Sequence, residues 1–60
     1  MLTWEEQALV NDIGDKLLEL YAERDEAISE GDMDRVHQLQ IEIDDAKAER
    51  QKIIRSSYAL

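Results

Sequence analysis

Seven carboxylates between Glu5 and Glu30 (Glu5, Asp12, Asp15, Glu19, Glu23, Glu26 and Glu30) recur three, four or seven residues apart. At roughly 100° per residue this spacing gathers them into one arc about 80° wide on a helix, with neighbours about 5–6 Å apart along the axis. Acid–base catalysis needs carboxylates that converge in a desolvated cleft, and an open convex face cannot shift their pKa values usefully. What such a row can do is electrostatic. Its spacing is not far from that of backbone phosphates, so a rigid ridge at Glu19–Glu30 could occupy a basic groove as a nucleic-acid mimic does. The competing reading is a solvated outer face that confers solubility. Asp15–Glu19, Glu19–Glu23 and Glu26–Glu30 are like-charge i,i+4 pairs, each destabilising by some tenths of a kcal/mol. A sequence shaped only for stability would alternate signs there.

Other chemistry finds little footing. His37 with Asp34 makes a D-x-x-H pair, but di-metal bundles use Glu-x-x-His with further inward acids, and His37 lies off the apolar stripe of its helix. Asp44-Asp45 lacks the alternating ligands and central Gly of a calcium loop. The chain has no Cys, so neither disulfides nor thiolate zinc sites are available, and no Gly-rich phosphate loop is present. The expectation is a protein that is not an enzyme and carries no cofactor and no metal.

The elements that must position these residues are two helices. Thr3-Trp4-Glu5-Glu6 fits a capping box, with Glu5 and Glu6 at the positive end of the helix dipole. The first helix then runs from about residue 4 to 30. Opposite its acidic arc lie Leu9, Val10, Ile13, Gly14, Leu17, Leu18, Leu20, Tyr21 and Ile28, an apolar strip covering about half the circumference. Gly14 costs about 1 kcal/mol of helix propensity, and its place on the apolar side suits close approach of another helix. Gly31 and Asp32 form the turn, Gly31 as a left-handed stop and Asp32 as the next N-cap. A second helix follows over about 33–56, and residues 56–60 fray. Its stripe of Val36, Leu39, Ile43, Ala46, Arg50, Ile53 and Ile54 is narrower than the strip it faces.

So short a link places the helices antiparallel, as a two-helix hairpin. Pairing about Gly31 brings Ile28 near Met33, Tyr21 near residues 39–43, Ile13 near residues 47–50, and Trp4 near Tyr58 and Leu60. The narrow stripe covers only part of the strip, and leaves an apolar patch around Leu9, Ile13 and Leu20 or around Gly14 and Leu18. Two hairpins sharing that patch make a four-helix bundle, so the expected interface of a homodimer is Leu9, Val10, Ile13, Gly14, Leu17, Leu18, Leu20 and Tyr21. Arg24 and Arg50 occupy stripe positions, either paired with acids such as Glu6 or Asp25 or snorkelling to solvent. Trp4 and Tyr58 are aromatic anchors for a contact at the open end, or a plug that closes it. Ile41 and Ala48, on the back of the second helix, are ordinary exposed residues or part of a second contact.

Composition sets the outer limits. Sixty residues allow one small domain over 1–60, and a core this small calls for oligomerisation or a partner once disulfides and metal are excluded. An apolar content of 43% with helical periodicity is not that of a disordered acidic tail. No run approaches the ~18 apolar residues of a membrane span. Net charge is −8, with residues 1–34 at −9 (eleven acids, two bases) and residues 35–60 at +1 (four acids, five bases). That balance argues against direct nucleic-acid binding, which needs clustered Lys and Arg, and against an anionic membrane. A cytoplasmic location is expected, and the opening Met1 reads as the start of a complete small protein.

From Leu20 to Glu49 the pattern resembles the UVR helical hairpin of bacterial excision-repair proteins. Leu20, Ala27-Ile28, Met33, Val36, Leu39 and Glu42-Ile43 fall where that motif spaces its apolar residues and its Glu-Ile pair. The paired small residues of its second helix are absent, and Gln40-Ile41 replaces its usual Arg-Asp. The resemblance implies protein–protein contact by pairing of hairpins. In size, charge and hairpin signature the whole chain is similar to the short acidic accessory proteins of lambdoid phage early regions, which implies action on a host protein. The expected function is therefore that of a small regulatory or adaptor protein that binds a host or partner protein, itself included. The partner-binding candidates are Trp4, Glu19, Glu23, Glu26, Glu30 and Tyr58, with a basic nucleic-acid-binding protein as one class of target. The alternatives are a nucleic-acid-mimicking inhibitor and a purely structural oligomerisation module.

Overall fold

A computed structural model describes residues 2–58, and the side chains of residues 2–57. Two α-helices, α1 (Trp4–Glu30) and α2 (Met33–Tyr58), account for all of this except Leu2, Thr3, Gly31 and Asp32. They pack against each other as an antiparallel hairpin with extents of 45 × 16 × 10 Å.

Both ends of α1 are fixed by local chemistry. The Glu6 amide donates to the Thr3 hydroxyl oxygen at 3.1 Å, and the Thr3 amide donates to the Glu6 carboxylate at 3.0 Å, closing the capping box. At the other end Gly31 adopts φ 73°, ψ 18°, and its amide reaches the carbonyls of Ala27 and Ile28. The Asp32 amide also donates to Ala27, so the carbonyls of Ala27 and Ile28 are satisfied. Asp32 then caps α2 by accepting from the Arg35 amide at 3.2 Å. α2 continues through Tyr58, two residues beyond the expected end. Ser56 and Ser57 weaken a helix without breaking it, and no Gly or Pro intervenes.

The core is six side chains: Leu17, Leu20 and Ala27 from α1, and Leu39, Ile43 and Ala46 from α2. Ile13, Tyr21 and Val36 pack at its margin. Ile43 and Ala27 are fully buried at 0% exposure, Ala27 close to the turn and Ile43 further along α2. Ala27 was not part of the expected strip, because an alanine adds little to an apolar pattern. Ile28 and Met33, expected to meet beside the turn, both remain exposed. The turn is held by backbone hydrogen bonds and by an Arg35–Glu30 ion pair at 4.0 Å instead.

Candidate interaction surfaces

The hairpin has two broad sides, and the contacts that cross between its helices identify them. On one, Arg24 of α1 donates through Nη1 to Gln40 Oε1 of α2 at 2.7 Å, and Gln40 Nε2 donates to Asp44 at 3.0 Å. Tyr21 lies between two cations there, the Arg24 guanidinium at 5.2 Å and the Lys47 ammonium at 5.5 Å from its ring centroid. On the other side a groove of about 240 Å³ runs between the helices, lined by Ile13, Lys16, Glu42, Asp45, Ala46 and Glu49.

The two seam arginines take a mixed form. Arg24 finds an amide, not the acids Glu6 or Asp25, and Glu6 lies about 27 Å away along the same helix. The Nε atoms of Arg24 and Arg50 are buried without a hydrogen-bond partner. Their stems pack in the seam, and neither forms an ion pair among the described residues.

The expected interface residues divide between inside and outside. Leu17 and Leu20 are core residues at 4% and 7% exposure, so α2 covers them and they are not part of the outer surface of the hairpin. Val10, Ile13, Gly14 and Tyr21 are half-buried, and Leu9 and Leu18 are exposed. The uncovered patch is thus the one around Gly14 and Leu18, with Leu9 isolated on the other side. The rotation of α1 about its own axis decides this, and a helical wheel does not contain it. A Cβ built on Gly14 meets nothing within 4 Å, so the hairpin itself has no need of a glycine there.

Of the partner-binding candidates, Trp4 is 84% exposed and Glu19, Glu23, Glu26 and Glu30 are all exposed. Among the described residues Glu19, Glu23 and Glu26 form no ion pair, and Glu30 has only Arg35. Tyr58 lies in α2, while its side chain and Leu60 fall outside the described residues, as does the aromatic cluster expected at the open end. His37, Asp34, Ile41 and Ala48 are exposed. Among the described residues no group of three or more His, Cys, Asp or Glu side chains could hold a metal ion. The Glu6 carboxyl is held below its ordinary range through its hydrogen bonds with the Thr3 backbone and side chain. No helix among the described residues is long and apolar enough to cross a membrane.

No protein-family model matches the chain, and neither a curated protein nor a solved structure matches it. The likeness to the UVR hairpin accordingly rests on residue spacing alone.

Proposed function

We propose that this chain is a non-enzymatic cytoplasmic protein-binding module, a regulatory or adaptor hairpin of the kind that a small phage accessory protein would be. One observation carries the reading. Among the described residues the hairpin buries six side chains and leaves nearly as many large apolar ones outside: Trp4, Leu18, Met33, Leu9 and Ile28 are all more than half exposed. Large apolar side chains exposed in this number on so small a chain mark contact surfaces, and Trp is among the strongest interface anchors. The UVR-like spacing from Leu20 to Glu49 agrees with contact through hairpin surfaces.

A second reading has its own support. The unpaired Glu19, Glu23 and Glu26 present an uncompensated acidic ridge, as a nucleic-acid mimic aimed at a basic groove would require. Affinity capture from a bacterial extract separates the two. The binding-module reading predicts a retained protein that persists at high salt and is lost with Trp4→Glu or Leu18→Glu. Retention that collapses with rising salt, and with Glu19→Lys, Glu23→Lys and Glu26→Lys, favours the mimic. Recovery of nothing but the chain itself points to a structural module.

A further inference from the structure

The outer side of α1 contains a second pattern, distinct from the strip that packs on α2. Starting at Trp4, every third and fourth residue in alternation lies along one line of the helix, a seam that ends at Ile28. We propose that this seam seats a second copy of the chain, with the two α1 helices antiparallel about a two-fold axis level with residue 16. The proposal rests on reading the exposed sides of the hairpin as contact surfaces, and assigns one of them, with its register, to a second copy while the other stays open to a further protein.

A two-fold contact requires a self-complementary surface, and the seam is one. Each seam residue has a counterpart equidistant from residue 16 on the other side, and the chemistry matches pair by pair. Gly14 falls opposite Leu18 of the second copy. Leu18 is 68% exposed, and the open space over Gly14 is what a leucine knob needs. Trp4 falls opposite Ile28, so the two most exposed positions at the ends of the seam cover each other. Gln7 and Asn11, joined by a hydrogen bond from Gln7 Nε2 to Asn11 Oδ1 at 3.1 Å, fall opposite Asp25 and the half-buried Tyr21. Polar layers inside a helical seam are register devices, and here they flank the axis on both sides, which fixes the antiparallel register. The reversed, parallel pairing would set Leu18 against Leu18 and leave Gly14 facing Gly14 across a void.

The geometry of the hairpin accommodates such a pair. The core-facing side of α1 lies roughly 110° round the helix from the seam, close to the corner angle of a four-helix bundle. Two-fold rotation then places α2 and its copy on the same side, next to each other. The edge of α2 that faces this way is known from its contacts with Arg24 and Tyr21: it is the edge of Gln40 and Lys47, and it continues into the half-buried Val36 and Ile54. The acidic ridge of each copy stays outside. Surface area points the same way. A compact chain of 7.0 kDa would expose about 4,000 Å², whereas this one exposes 4735 Å². The excess, roughly 700 Å², follows from the elongated shape of the hairpin and is surface that a second copy can cover.

The electrostatics give this contact a signature opposite to that of a basic partner. Each copy carries −8, and Asp15 of one approaches Asp15 of the other beside the axis. Screening therefore strengthens self-association, whereas it weakens capture of a basic protein.

The chain has no native cysteine, so the register is tested by cross-linking. Under mild oxidation, an equimolar mixture of the Gln7→Cys and Asp25→Cys chains is expected to give a covalent heterodimer in preference to either homodimer. In the proposed register the two Gln7 positions lie about 27 Å apart along the axis. Leu18→Glu, on an exposed side chain, is expected to retain the helical circular dichroism and abolish the cross-link. Gly14→Ala is expected to raise the helix content and reduce the cross-link. Preferential homotypic cross-linking, indifference to Leu18→Glu, or no cross-link in any mixture overturns the seam. Salt-resistant capture of another protein by a chain that stays monomeric overturns the seam too, and leaves the binding-module reading standing.

Discussion

At the scale of single residues, stability is concentrated in a few positions whose roles differ in kind. Ile43 has no exposed surface, so Ile43→Ala should cost about 2–5 kcal/mol, read as a lower urea midpoint. Leu18→Ala, on the outside, should stay within about 0.5 kcal/mol of the parent once self-association is diluted away. Thr3→Ala removes one acceptor of the capping box and should cost about 1 kcal/mol. The same box gives a pH dependence. The carboxyl of Glu6 titrates below its ordinary 4.5 because Thr3 holds its charged form. Its contribution is full above that value and is lost as pH falls through the lowered pKa. The difference between wild type and Glu6→Gln, which removes the titrating carboxylate, should therefore narrow in urea titrations carried from pH 6 toward pH 3.

At the scale of elements, what was legible in the sequence was local. Thr3 and Glu6 announce a helix start and Gly31-Asp32 a turn because each acts within three or four residues of itself, and both formed. The core stripe of α2 was legible too, since Leu39, Ile43 and Ala46 repeat at helical spacing on one narrow line. Two things were not. The strip on α1 was wider than its partner, so periodicity could not say that Leu17 and Leu20 would be covered and Leu18 left outside. The partner of Arg24 is Gln40, sixteen positions away and of no opposite charge, and no spacing rule points to it. Arg50 occupies an equivalent seam position with its Nε unsatisfied, a cost that a hydrophobe would not incur. Arg50→Leu is expected to raise the thermal midpoint, and a fall of several degrees would mean that the guanidinium has a partner worth keeping.

At the scale of the whole molecule, sixty residues folded into two helices give a layer with one inner seam and two outer sides. Such a hairpin sits near the lower limit of what a single small core sustains, and natural chains of this size add a staple or a partner. No disulfide is available to this one, and the association proposed across the exposed seam of α1 would supply what a staple supplies elsewhere. The charge of −8 would then act as a check on that association, strong at low salt and relaxed at high salt.

Sedimentation equilibrium of the unmodified chain, over a concentration series at low and high salt, tests this account most directly. The account predicts a mass that rises toward twice 7.0 kDa with concentration, and at lower concentration when salt is raised. A single species at 7.0 kDa across the series, or a dimer that dissociates as salt increases, would contradict it.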